Sequence, residues 1–298
     1  MTPLASSALP PADEGRRCTW ISVWVNLFLT TVQFVVGIFS ASQGLIADSV
    51  HSLSDLMADF VVLLAARHSK KDADVDHHYG HLRYENAASL VLGVLLLAVA
   101  AGMIWAALHK LFSPGVAATV HPVALWVALI ALTAKETLFR YMLAVAKRLG
   151  SSMLAANAWH ARSDAASSLV VALGIGGNLM GYPLLDPAAA LVVGIMVGKM
   201  GWSFSWSALH DLMDRAASED ETEAIRQTLA QTPGVRGVHD LRTRKVGDLT
   251  LVDVHLEIDA YITVAEGHAI TVKARQRVLD QHGVLDVMTH IDPYPHSS

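Results

Sequence analysis

Apolar residues run along this chain in six long stretches, and then the pattern breaks. A spanning helix needs about 20 mainly apolar residues, and segments at about 20–40, 45–66, 87–109, 122–145, 155–178 and 187–209 qualify. After Asp211 the hydropathy falls. Residues 219–231 place acidic residues in a first turn and apolar ones at helical spacing. Residues 235–244 and 249–258 alternate as strands around Lys245-Val246-Gly247-Asp248, and a helix over 264–282 and a strand over 284–292 follow. The pattern predicts an α-helical polytopic membrane protein with six transmembrane helices, followed by a C-terminal α+β domain of order αββαβ. Three parts are expected: a flexible tail over 1–19, a membrane domain over 20–210 and the C-terminal domain over 211–298.

Composition agrees. Of 298 residues, 53% are apolar and 16% are charged, against about 25% charged in soluble domains. The net charge of −5 says little about partners, because charge gathers before residue 20, between 67 and 86 and after 210; no nucleic-acid partner is expected. A single cysteine, Cys18, excludes a disulfide framework and a Cys-rich zinc ribbon, so any metal ligands come from His, Asp and Glu. The first apolar run lacks an early cleavage signal and is expected to be a retained helix. Arg16, Arg17, Arg67, Lys70, Lys71, Arg83, Lys147 and Arg148 flank alternate connections, whereas the loops around 40–44 and 181–183 have no Lys or Arg and the one around 113–122 has only flanking Lys110. The positive-inside rule therefore places both termini in the cytoplasm.

Polar residues inside the apolar stretches carry the chemistry. His51-x-x-x-Asp55 and His160-x-x-x-Asp164 repeat one pattern in the second and fifth spans. Residues four apart on a helix lie about 40° apart around its axis, so each pair aims an imidazole and a carboxylate the same way. Asp48, His51, Asp55 and Asp59 fall within an arc of about 80°, forming a polar stripe. Asp164 lies about 14 Å into its span, at a depth comparable to Asp55. An ionisable group at mid-membrane costs about 2.5–3.5 kcal/mol, so such groups face a partner or water. Two neutral imidazoles with two carboxylates carry a charge of −2, which one divalent cation cancels. Protons are the alternative neutraliser, so exchange of metal for protons follows. Four N/O ligands suit Zn²⁺, with Fe²⁺, Cd²⁺ and Co²⁺ as alternatives. Asp48 is expected to favour its helix N-terminus, Asp59 to line an inner path or pair with Lys135, and Arg162 to pair with an acid or snorkel.

The segments LIADSVHSLSDL, DHHYGHLRYENAASL, NAWHARSDAASSLVV and GVHDLRTR, with VHLEI and THIDP, resemble the cation diffusion facilitator family of proton-coupled metal exporters from about residue 20 onward, and its bacterial zinc and ferrous-iron efflux branch in particular. The resemblance implies a metallochaperone-like (ferredoxin-like) cytoplasmic domain, a homodimer and location in the bacterial inner membrane. It places the transport site on His51, Asp55, His160 and Asp164; branch members often have Asp in place of His51, and a His-Asp plus His-Asp set is associated with zinc preference. It implies a loop metal site at Asp74, His77 and His81, with Asp76 and His78 as spare candidates. Cytoplasmic sites are implied at His239, His255, His290 and Asp292, with His268 completing a second ion across the dimer; Ile291 stands where relatives have a polar residue. Arg83 and Asp214 match an interlocking salt bridge at the dimer interface.

A secondary transporter, not an enzyme, is therefore expected, with divalent metal ions, protons, lipid and a second copy of the chain as partners. An intramembrane zinc hydrolase lacks His-Glu-x-x-His, and four protein ligands would leave the ion closed to substrate. A metal-sensing scaffold without transport is the remaining alternative.

Overall fold

A computed structural model describes residues 11–69, 71–112, 119–247 and 249–294. Six long helices come first: α1 (Pro11–Phe39), α2 (Gln43–Ser69), α3 (Arg83–Phe112), α4 (Val123–Leu149), α5 (Ser152–Leu179) and α6 (Leu185–Leu212). They overrun the expected spans at nearly every end. α1 begins at Pro11, a residue suited to the first helical position because its missing N–H has no partner there to lose. Residues 11–19 of the expected flexible tail are thus helical; residues 1–10 lie outside the described residues, as does 113–118 of the expected third-to-fourth-span loop.

Among the described residues, α1, α2, α3 and α6 are long and apolar enough to cross a membrane by composition alone. α4 and α5, counted with them from sequence, have 27 and 28 residues, ample for a core about 30 Å thick. Their hydropathy is lowered by polar groups such as Lys135 and Asp164, which the bundle buries. A polar side chain satisfied by a neighbouring helix reduces apparent hydropathy without meeting lipid.

The chain divides into two compact units: residues up to Val61 with Leu92–Ser203, and Val62–Val91 with Phe204–Ser298. By contacts, the α2–α3 connection and its adjoining helical turns group with the C-terminal domain.

In the first unit, two apolar cores bracket a polar middle. One packs Leu45, Ala128, Val171, Ile175 and Val193; the other packs Cys18, Leu138, Phe139, Met142 and Ala158. Small residues set the spacing: a Cβ on Gly174 would lie 2.5 Å from the Ala189 Cβ, so α5 and α6 meet backbone to backbone. Gly150, at φ 64°, ends α4, and Ser151 caps α5 by accepting the Leu154 N–H, which makes the α4–α5 turn tight. The N-terminus of α2 is capped from α6. Asp186 accepts from the Ser42 hydroxyl at 2.7 Å and from the Gln43 and Gly44 amides at 2.7 and 3.2 Å. A carboxylate there satisfies amides without intrahelical partners and opposes the helix dipole, fixing the helix that carries His51 and Asp55.

The second unit contains α7 (Glu219–Ala230), β1 (Val235–Val246), β2 (Leu249–Asp259), α8 (Val264–Gln281) and β3 (Val284–Tyr294). The order αββαβ matches the sequence pattern. β2 is central, antiparallel to β1 and parallel to β3. Its alternation buries Val252, Val254, Leu256 and Ile258 against Ile225 and Leu229 of α7 and Ala274 and Val278 of α8. The opposite face carries His255 and Glu257. Thr263 and Glu266 close a capping box at the start of α8.

Candidate metal centres

In the helical bundle, α2 supplies His51 and Asp55, one turn apart, and antiparallel α5 brings Asp164 against them. His51 Nδ1 lies 3.7 Å from Asp55 Oδ2, and His51 Nε2 lies 4.0 Å from Asp164 Oδ1. Those two distances use different ring nitrogens of His51, of which one ion takes only one, so the case for a shared cation rests on one ligand atom from each residue lying within 4.8 Å of the others. Both distances are too long for hydrogen bonds. His51 Nδ1 and both oxygens of Asp55 are buried with no hydrogen-bond partner, a condition that costs about 1–3 kcal/mol per group in a folded protein unless a ligand relieves it.

His160 does not join this trio. It is exposed, one turn away along α5, but lines the same small cavity as Asp55 and Asp164, with Asp59, Asn26 and Asn157. The cavity, ≈ 60 Å³, lies toward the end of the bundle that bears the α4–α5 turn. Asp59 lines it, as one of its two expectations had it, but Lys135 pairs with Asp48 at 3.4 Å. Asp48 is not a helix-terminal carboxylate either, since Asp186 fills that role and Asp48 is fully buried. Arg162 lies over two rings, 4.9 Å from Phe139 and 5.3 Å from Trp159, a cation–π contact.

The connection between α2 and α3 gathers Asp74, His77 and His81. Asp74 accepts the Asp76 and His77 amides at 3.1 and 2.9 Å and pairs with Lys71 at 2.5 Å. The Lys71 hydrogen bond, helped by those amides, holds its carboxyl well below the usual carboxylate range. His81 is buried, with Nδ1 at 3.2 and 3.3 Å from the Asp72 and Lys71 carbonyls and Nε2 at 3.4 Å from Asp74. Donation from Nδ1 to a carbonyl leaves Nε2 with a free lone pair aimed at the acidic group, the usual arrangement for a metal-binding histidine. Asp76 and His78, the spare candidates, lie outside this cluster.

On the open face of the sheet, pairing places His239 opposite His255 and His255 opposite His290, one row across three strands. Asp292 anchors the row: its Oδ2 is 2.9 Å from His255 Nδ1 and 3.1 Å from His239 Nε2, and its Oδ1 is 3.4 Å from His290 Nε2. The His255 hydrogen bond, with the other imidazoles, holds the Asp292 carboxyl below its ordinary value. His268 is exposed on α8 and is not gathered into the cluster. Glu257 approaches His239 at 3.9 Å, a neighbour the sequence reading omitted. Strand alternation placed it on this face, but the cross-strand register that brings it to His239 has no sequence signature.

Arg83 and Asp214 form an exposed ion pair within one chain. Sequence reading also missed a buried network around Asp48, in which Gln33, Ser167, Ser168 and Lys135 converge from three other helices. The available signal was a lysine in the middle of a spanning segment, which demands a partner.

Two family models match adjacent stretches of the chain. Residues 19–213 match the family model described as the cation efflux transmembrane domain, and residues 217–294 that of the cation efflux protein cytoplasmic domain. Metal tolerance protein C1 of Arabidopsis thaliana is 34% identical over 95% of this chain; the chain spans 63% of that protein's length. The manganese efflux system protein MneS of Bacillus subtilis (strain 168) is 28% identical over 94% of this chain and 96% of its own. The metal-bound C-terminal domain of the CzcD transporter from Thermotoga maritima aligns with 26% of this chain and 93% of that chain at 29% identity, with a TM-score of 0.25.

Proposed function

Because the chain belongs to the cation diffusion facilitator family of cation efflux proteins, we propose that it exports a divalent transition metal, Zn²⁺ foremost, in exchange for protons. This reading rests on one observation: in a helical membrane domain, a histidine and two aspartates converge with the His51 Nδ1 and the Asp55 oxygens lacking hydrogen-bond partners. Two carboxylates and a neutral imidazole carry −2, which a divalent cation cancels. Without the ion, protons neutralise the same groups, and occupancy by one disfavours the other. The His160 side chain, in the same cavity, is the fourth ligand and closes on the ion as it leaves water.

Imidazole favours zinc, whereas manganese prefers an all-oxygen set. One relative is named for manganese efflux, and His51 is the position that separates the two preferences. The Asp74–His77–His81 loop and the His239–His255–His290–Asp292 row act as cytoplasmic metal sites, with His268 serving a second ion in a homodimer that Arg83 and Asp214 help to align. The protein sits in a bacterial inner membrane with both termini cytoplasmic.

Zinc flux into proteoliposomes under a pH gradient tests the reading. Flux and counter-flow of protons should both vanish in Asp55→Ala plus Asp164→Ala. Undiminished zinc flux in that variant rejects the site. Zinc flux unaltered by collapsing the pH gradient rejects proton exchange, and stronger manganese than zinc flux rejects the metal assignment.

A further inference from the structure

Immediately beside the metal ligands, four helices meet around one buried carboxylate. Asp48 Oδ2 accepts from Gln33 Nε2 of α1 at 2.6 Å, Ser168 of α5 at 2.6 Å and Lys135 of α4 at 3.4 Å. Ser167 lies 2.9 Å from Asp48 Oδ1 and 2.8 Å from the Asp164 carbonyl. Lys135 Nζ has two further partners, Ser168 at 2.8 Å and Ser52 at 3.0 Å. Three partners match the three donors of an ammonium. The three groups that face Oδ2 are all donors, an ammonium among them, which suits a carboxylate accepting there. Both groups are almost wholly buried.

The pair is also in contact with the metal site's walls. Ser52 follows His51 and lines the cavity that contains Asp55 and Asp164, and Ser167 touches the backbone of Asp164. Charge beside a low-dielectric site acts strongly on an ion within it. Counting Asp55, Asp164 and Asp48 as negative and Lys135 as positive, with His51 neutral, leaves −2. Asp59 and His160 stand on the exposed part of the cavity, where water screens them.

We propose that Lys135, locked onto Asp48, tunes how tightly the transport site holds its ion: its fixed positive charge keeps the site at −2, the value a divalent cation cancels. Without Lys135 the neighbourhood carries −3 and the ion is held too tightly to leave. Without Asp48 it carries −1 and captures the ion poorly. The role is electrostatic, exerted without touching the metal, and it rests on the transport reading above.

Zinc flux by the full chain in proteoliposomes, compared for wild type, K135M, D48N and K135M/D48N, tests it. K135M is expected to lower KM about tenfold and to lower kcat at least as much; D48N is expected to raise KM about tenfold. The double variant should return both constants to within about twofold of wild type. A merely structural pair would impair both single variants alike, so KM shifts of the same sign, or a double variant no nearer wild type than the singles, overturn the proposal. If K135M does not fold, Lys135→Arg keeps the charge and should keep the wild-type KM; a KM displaced as far as that of D48N overturns the proposal. Absence of wild-type flux would reject the transport reading alone. Zinc affinity of the full chain in detergent, taken as the component lost in Asp55→Ala plus Asp164→Ala, still decides the charge role, because it must shift in opposite directions in K135M and D48N.

Discussion

Asp48 and Asp55 lie on the same face of α2, two turns and about 10.5 Å apart along the axis, in opposite circumstances. Every oxygen of Asp48 is engaged by donors from other helices, while neither oxygen of Asp55 has a hydrogen-bond partner. A carboxylate that the fold satisfies holds the fold together. One that the fold leaves unsatisfied is kept for something that comes and goes. Burial alone does not separate a structural acid from a functional one; the donors around it do.

The largest expected effect follows from the second half of that contrast. Removing Asp55 and Asp164 together should cut zinc flux by about a thousandfold or more while leaving thermal stability within about 1 kcal/mol, because no bond that supports the fold is lost. A melting temperature that collapses with the flux would erase the distinction. Next comes Asp48→Ala, which strands Lys135 in the bundle and should destabilise the protein by about 3–5 kcal/mol. A loss below about 1 kcal/mol in thermal melts would mean that the network is idle. Asp59, one turn beyond Asp55 and exposed in the same cavity, belongs to neither class. Asp59→Asn is expected to raise the KM for zinc severalfold, up to about tenfold, with kcat unchanged, since it meets the ion in water on the way in. A matching fall in kcat would make it a ligand instead.

The smallest effect comes from the tail, where Glu221 pairs with Lys245 at 2.9 Å and accepts from Thr250 at 2.7 Å, a half-exposed counterpart of Asp48 with Lys135. Burial pushes its carboxyl up, but the Lys245 and Thr250 hydrogen bonds outweigh that and hold it below the ordinary glutamate value. Its stabilisation is therefore complete above about pH 4.3 and is lost as pH falls through the lower folded value. Melts of the full chain across that acid range should show a contribution of less than about 1 kcal/mol that Glu221→Gln removes. A larger acid loss in the variant than in the wild type would reverse the sign and refute the pairing.

Much of this was legible in the sequence because its signals are local. Alternation in Thr250-to-Ile258 defined β2 and its buried face, and four-residue spacing placed His51 with Asp55. What required the fold was pairing between helices. Nothing in the spacing says that Lys135 meets Asp48 rather than Asp59, because both acids lie on one stripe of α2 and the choice depends on how α4 packs. The same holds for His160: spacing aligns it with Asp164, but the placement of α2 against α5 brings Asp164 into the trio and leaves His160 one turn away. The α2–α3 connection looked like part of the membrane domain by position in the chain, and its grouping with the C-terminal unit depends on contacts that hydropathy does not encode.

The row of His239, His255 and His290 joins strands drawn from distant parts of the chain. An ion bound across it would staple the first strand of the domain to the last, closing a loop that contains α8 and removing freedom from the unfolded chain as a covalent cross-link does. By mass action, the folded fraction of the domain would then rise with the free metal concentration. The sheet's resistance to unfolding, followed by amide exchange along β2, would gauge the very pool of metal that the membrane domain works to lower.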